Sequence, residues 1–414
     1  MTVALLKYYE RNQQKSQTKF MKTGYSIRTW RMRLVCPEPI WLDRTEEYFQ
    51  NVVEFYYHLL RQHEELWNSS LFDIQRSLEL LTLAGRDGRQ PTNPLPMGKV
   101  PVYLRRAAIN KASATVKSTQ ELQSGFPEKL EAKVTFFKGM YSNLTDRSIC
   151  LKLWNGEKWI WTDCNLKGRP LPQDGQLMSP TLVKEGRRYL LNIPVKQENS
   201  DARTAKERMA EGTNLCSVRF TNTDTFAVCC ILDEQGKQLA VHTCRGGDAY
   251  RHRCKLLETR IQKSRPNTVG DNSPQPNRKY YMHLKNLSEH YAHQVSREIL
   301  NFCKENQAGI IVLPDYDQNF TRMAMVKSGN FSPLHLSSKI RTNLQYKAWA
   351  EGILVLETRT DGLKDKCAIC GGKVRRKGNE FLCENGHQGN RFLNDARNLG
   401  RKCQDSFFRR SRTK

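Results

Sequence analysis

The sequence predicts a multidomain α+β protein, and three observations carry that prediction. The chain has 414 residues, enough for about two or three domains with sizeable cores. Between residues 130 and 195, short apolar alternations are split by the turn signals Asn155-Gly156 and Asp174-Gly175. That pattern makes the stretch β-rich. From about residue 214 the order is hairpin, helix, strand, helix, strand, which reads as an α/β layer with a mixed sheet.

The elements follow in chain order. Lys7, Arg11, Lys15 and Lys19 recur every four residues, which on a helix makes one cationic ridge. Tyr25–Val35 alternates, with Trp30, Met32 and Leu34 on one side and Arg31 and Arg33 on the other, as a half-buried strand does. Pro37 and Pro39 stop it. Tyr48, Val52, Phe55, Tyr56 and Leu59 fall at helical spacing and mark core positions within a helical stretch, 41–85. A Gly/Pro-rich break runs from Gly85 to Pro96, and residues 101–120 then form a helix carrying Arg105, Arg106, Lys111 and Lys117. In the second half, Phe226–Leu232 and Lys237–Thr243 flank a four-residue turn. A basic helical stretch, 249–265, and a Pro/Asn/Ser-rich loop, 266–278, follow. The helix 279–306 aligns Leu287, Tyr291, Val295, Ile299 and Cys303 on one face. Gly309–Leu313 and Ile353–Glu357 read as buried strands on either side of a helix, 336–351. His242 and Cys244 read as ordinary strand residues.

Composition narrows the functional classes. Seven Trp, 15 Tyr and 16 Phe exclude a disordered chain. No run of eighteen apolar residues exists, so no membrane span is expected, and the first twenty residues lack the apolar block of a secretory leader. The thirteen cysteines form no dense even framework, which suits a reducing compartment. The net charge is +25, and residues 365–414 hold 13 Lys and Arg against 5 Asp and Glu. Clustered positive charge of this size points to nucleic acid, because each neutralised phosphate releases a counterion.

Cys367-x-x-Cys370 precedes Cys383 by twelve residues, and His387 follows. Two thiolates in a tight knuckle, closed by a second pair across a short hairpin, form a tetrahedral zinc site. Gly371 and Gly372 give the first knuckle room to turn. The four ligands leave no open position, so the zinc is expected to be structural.

At this point the second half resembles the RuvC-like nuclease module of TnpB proteins and the miniature type V CRISPR effectors. The stretches that carry the resemblance are Phe226–Lys237, His290–Leu300, Gly309–Leu313, Leu344–Ile353, Cys367–His387 and Asn390–Asn398. The resemblance implies a RuvC-like (RNase H-type) α/β domain over 214–364 and 389–414, with a zinc-ribbon insertion at 365–388. It further implies a β-rich wedge domain over 1–40 and 130–213, with a helical recognition insertion at 41–129. Three family carboxylates hold two Mg²⁺ ions for cutting. Aligned on the family motifs, those positions carry Arg219, Pro314 and Phe392 here. None can hold a hard cation, so no catalytic Mg²⁺ is expected.

The functional expectation is therefore a nuclease-dead, RNA-guided DNA-binding protein that regulates or silences transcription. Two alternatives stay open: an active RNA-guided endonuclease with displaced ligands, and a guide-independent transposase remnant. Expected partners are a guide RNA and a double-stranded DNA target with a short flanking motif. A second copy of the chain, and a transcription or transposition protein, stay open as further partners. The expected location is a prokaryotic cytoplasm, at the nucleoid when bound. Candidate phosphate contacts are Lys7, Arg11, Lys15, Lys19, Arg105, Arg106, Arg397 and Arg401.

Overall fold

The structure is a computed structural model that describes residues 24–85, 87–122, 124–264, 277–316 and 331–409. The chain divides into two compact units, one formed by residues 27–197 and the other chiefly by residues 198–414. No described helix is long and apolar enough to cross a membrane.

The first unit holds a seven-stranded sheet with three helices on it. The strands are β1 (Tyr25–Val35), β2 (Tyr141–Ser142), β3 (Ser148–Trp154), β4 (Trp159–Lys167), β5 (Gln176–Leu177), β6 (Thr181–Glu185) and β7 (Arg188–Glu198). Their order is β2-β3-β4-β1-β7-β5, with β6 also paired to β7. The alternation read in β1 is real: Trp30, Met32 and Leu34 are buried and Arg31 and Arg33 are exposed. Helix α1 (Pro39–Gln62) buries Phe49, Val52, Val53, Tyr56, Tyr57, Leu59 and Leu60. Tyr48 and Phe55, expected in this core, lie at its margin and are only partly buried. Helix α2 (Leu71–Thr82) starts at Ser70, whose hydroxyl accepts the Asp73 N–H. Helix α3 (Val102–Glu121) adds Leu104, Ile109 and Val116 to the same core.

The second unit holds a five-stranded mixed sheet. Its strands are β8 (Leu215–Phe220), β9 (Thr225–Leu232), β10 (Gln238–Arg245), β11 (Ile310–Asp315) and β12 (Leu354–Arg359), in the order β10-β9-β8-β11-β12. β8, β9 and β10 are antiparallel, whereas β11 runs parallel to both β8 and β12. β9 and β11 are continuous apolar runs because both their faces are covered. One face, with Cys216, Val218, Cys229, Ile231, Ile311 and Leu313, packs in a core with α5 (Gly247–Lys263), α6 (Arg278–Glu305) and α7 (Ser337–Trp349). The other face, with Leu215, Cys230, Leu232, Ile310 and Val312, packs against α8 (Arg391–Arg409) through Ala396, Leu399 and Cys403. Gly400 lets α8 approach closely, since a Cβ there would lie 2.5 Å from Leu232 Cδ1.

A short helix, α4 (Ala205–Ala210), opens this unit with a Thr204/Glu207 capping box. Its Arg208 is fully buried and stitches three chain segments together. The guanidinium donates to the carbonyls of Gly309 (2.8 Å), Gly352 (2.6 Å) and Asp201 (2.7 Å). Between β12 and α8 sits a three-stranded ribbon of β13 (Val374–Lys377), β14 (Glu380–Cys383) and β15 (Gln388–Asn390).

Candidate functional site

The sheet register fixes the first part of the site. Val312 of β11 lies beside Ser217 of β8. Two residues further along each strand stand Pro314 and Arg219, on the face that α8 covers, since side chains alternate. Asn390 then starts α8 by accepting the Phe392 and Leu393 N–H groups with its side-chain oxygen. This brings Phe392 and, one turn on, Asp395 to the same face.

Arg219 does not stand alone there. Its Nε lies 3.3 Å from Asp395 Oδ2, and its Nη1 donates to the Tyr316 hydroxyl at 2.9 Å. A second guanidinium, from Arg376 of β13 in the ribbon, reaches the other oxygen of Asp395 at 2.5 Å. Asp395 is 2% exposed, so this is a buried carboxylate held between two cations. Burial pushes the Tyr316 phenol up, keeping it neutral beside Arg219.

Two other carboxylates near the strand ends, Asp315 and Glu357, face away. They alternate to the opposite side of the sheet. There Glu357 pairs with Arg341 of α7 at 3.4 Å. Burial, with some repulsion from Asp315, pushes the Glu357 carboxyl up. The donor chemistry around Arg219 thus does not fit a pair of hard divalent cations, which need several free oxygen ligands. A guanidinium, a proline and a phenyl ring supply none, and both oxygens of Asp395 face a guanidinium, Oδ2 that of Arg219 and Oδ1 that of Arg376.

The ribbon does fit a metal. Donor atoms of Cys367, Cys370, Cys383 and His387 all lie within 4.8 Å of one another. Cys370 and Cys383 sulfurs are 3.3 Å apart, close to the ~3.7 Å edge of a tetrahedral thiolate site with Zn–S near 2.3 Å. Ile369 N–H points at Cys367 Sγ and Asn385 N–H at Cys383 Sγ, each at 3.4 Å. Both turns use a left-handed glycine, Gly371 in the first and Gly386 in the second. His387 Nδ1 is buried with no hydrogen-bond partner, as a ligand atom awaiting an ion would be. Zinc in this set would be held by three thiolates and one imidazole and would serve the fold.

Two asparagines of α8 brace the ribbon to the sheet. Asn394 accepts Ala368 N–H at 2.7 Å and donates to Lys366 O at 2.9 Å. Asn398, one turn later, donates to Leu363 O and Lys366 O. The sequence reading assigned no role to Asn394, Asn398, Arg376 or Tyr316. Only the one-turn spacing of the two asparagines was visible there.

The expected phosphate contacts fare unevenly. Lys7, Arg11, Lys15 and Lys19 lie outside the described residues. Arg105 is corrected to a structural ion pair: its side chain is 10% exposed and it donates to Glu79 through Nε and Nη2. Arg106 shares the same carboxylate but stays half exposed. These two guanidiniums hold the Glu79 carboxyl low against its burial. Arg401 is turned inward as well, donating to the carbonyls of Gly236 and Ala368, so it braces the β9–β10 turn and the ribbon. Arg397 is partly buried, with a buried Nε that has no hydrogen-bond partner. One exposed feature of the first unit escaped sequence reading. Trp161 is 46% exposed on β4. Lys152 stands directly across from it on β3, with its ammonium 5.8 Å from the ring centre.

Comparison with known proteins gives four findings. Residues 26–155 match the Aq_aa04 family. The Cas12f1–sgRNA–target DNA complex is similar in structure at a TM-score of 0.51 and 12% identity, over 91% of this chain and 99% of that one. The mini-RNA-guided endonuclease CRISPR-Cas_phi3 is similar at a TM-score of 0.52 and 9% identity, over 91% and 92% of the two chains. No curated protein matches. The chain therefore has the fold of the miniature type V effectors, a mixed α/β multidomain architecture, as the sequence motifs of its second half implied.

Proposed function

We propose that this protein binds DNA under the direction of a guide RNA and does not cut it. The observation that carries the reading is the buried Arg219–Asp395–Arg376 cluster. By the motif resemblance read in the sequence, Arg219, Pro314 and Phe392 would stand at the positions of the nuclease carboxylates. A guanidinium at the first of these positions pairs with Asp395, so two Mg²⁺ ions would find neither the ligands nor the potential to bind.

The parts needed for binding remain. The net charge of +25 supplies phosphate contacts. Exposed Trp161 with Lys152 supplies a face on which a base can stack. Sequence choice would lie in pairing between guide RNA and one DNA strand, with the protein reading a short flanking duplex motif. A complex that holds its target uncut is a roadblock to polymerase, and its output is regulation or silencing of transcription.

The test reconstitutes the full chain with the RNA that co-purifies with it, then adds matched duplex DNA and Mg²⁺. Guide-dependent retention of intact duplex is the expected result. Nicks or cuts that vanish in Asp395→Ala would refute the reading in favour of an active endonuclease. Equal binding with and without the RNA would instead point to direct readout.

A further inference from the structure

A second cluster of metal-ligating groups lies on the far side of the sheet from the Arg219 cluster. His242 and Cys244 are two residues apart on the edge strand β10 and so share a face. That face packs in one core with α6, where Cys244 joins Val295, Ile299 and Phe302. Glu298 belongs to the same helix, and its Oε1 lies 2.6 Å from His242 Nε2. The donor atoms of His242, Cys244 and Glu298 all fall within 4.8 Å of one another. The Phe302 ring, one turn further along α6, stands 5.2 Å from the imidazole and limits its rotation.

The ordinary explanation is a half-exposed His–Glu pair on a helix–strand seam. That explanation needs nothing of residue 244, yet a fully buried thiol completes the triangle. His242 and Glu298 side chains are 35% and 31% exposed, so an ion can enter from solvent and meet the thiol at the bottom.

We propose that His242, Cys244 and Glu298 form a second zinc site, independent of the ribbon. One nitrogen, one sulfur and one oxygen suit a borderline cation such as Zn²⁺ and exclude Mg²⁺ and Ca²⁺, which avoid thiolate. Among the described residues the cluster offers three donors, so a tetrahedral ion takes its fourth ligand from water. Binding releases the Cys244 thiol proton to solvent. The ion ties the edge strand β10 to α6, two elements otherwise joined here by apolar contacts and one ion pair.

The experiment strips the purified full chain with a chelator, reloads it with Zn²⁺, removes the excess and counts zinc per chain by mass spectrometry. Wild type is expected to hold two, His242→Ala one and Cys370→Ser one. If the ribbon held no zinc, both counts would drop by one and the difference between wild type and His242→Ala would persist. Equal counts in wild type and His242→Ala overturn the proposal. Should His242→Ala not fold, Glu298→Gln, which keeps the side-chain shape, decides the same question by the same count.

Discussion

Removing the Asp395 carboxylate tests what holds the Arg219–Asp395–Arg376 cluster together. Asp395→Ala leaves two guanidiniums without their shared counter-ion in a site where the carboxylate was 2% exposed. Breaking a buried ion pair from one side costs about 3–5 kcal/mol, because the surviving charge is stranded. Arg219 is 13% exposed and has no easy exit, whereas Arg376 is 23% exposed and can turn toward water. The main cost therefore falls on Arg219. At ~2–4 °C per kcal/mol for a unit of this size, the melting temperature should fall by about 6–20 °C. Circular dichroism melts of the full chain, with and without Mg²⁺, measure it. The double variant Arg219→Met with Asp395→Leu should recover a large part of the loss, since apolar residues can replace a buried pair. The reasoning fails if Asp395→Ala melts at or above wild type. It also fails if Mg²⁺ raises the wild-type melting temperature and leaves the variant unmoved, for then the carboxylate faces a cation.

Three further predictions follow from the second unit and its ribbon. Arg208→Met should destabilise the unit by about 3–5 kcal/mol in urea melts, since the Gly309, Gly352 and Asp201 carbonyls each lose a guanidinium donor; an unchanged midpoint would rule out the stitching role. His387→Ala should release zinc to a colorimetric chelator several-fold faster than wild type, with the Asn394 and Asn398 contacts loosened; equal release rates would remove His387 from the ligand set. The Arg203 side chain, through its hydrogen bonds, holds the Asp201 carboxyl at about 2. A folded value below the ordinary one stabilises the fold above pH ~4, and that stability is lost as pH falls towards about 2. Asp201→Asn should flatten this acid limb in pH-dependent melts, and an unaltered limb would assign it to other groups.

How much of this was legible beforehand depends on whether a feature is local. The β1 alternation is local, since period two along one strand sets which side chains are buried, and Trp30, Met32 and Leu34 were correctly placed. The hairpin, the long helix and the zinc knuckles are local too: each depends on spacing within about twenty residues. Arg105 shows the opposite case. Its neighbour Arg106 is basic and exposed, and nothing within its own helix announces Glu79, twenty-six residues earlier, as its partner.

The sequence by itself determined the layer pattern, the ribbon and the surplus of positive charge, because periodicity, short ligand spacing and composition need no third dimension. Only the tertiary structure decided that Arg219 of β8, Asp395 of α8 and Arg376 of the ribbon meet at one buried point. It also decided that a strand histidine and cysteine meet a helix glutamate some fifty residues on. The reason is physical: a charge's energy is set by what surrounds it in space, and pairing across a sheet and its flanking helices joins residues that no local pattern connects.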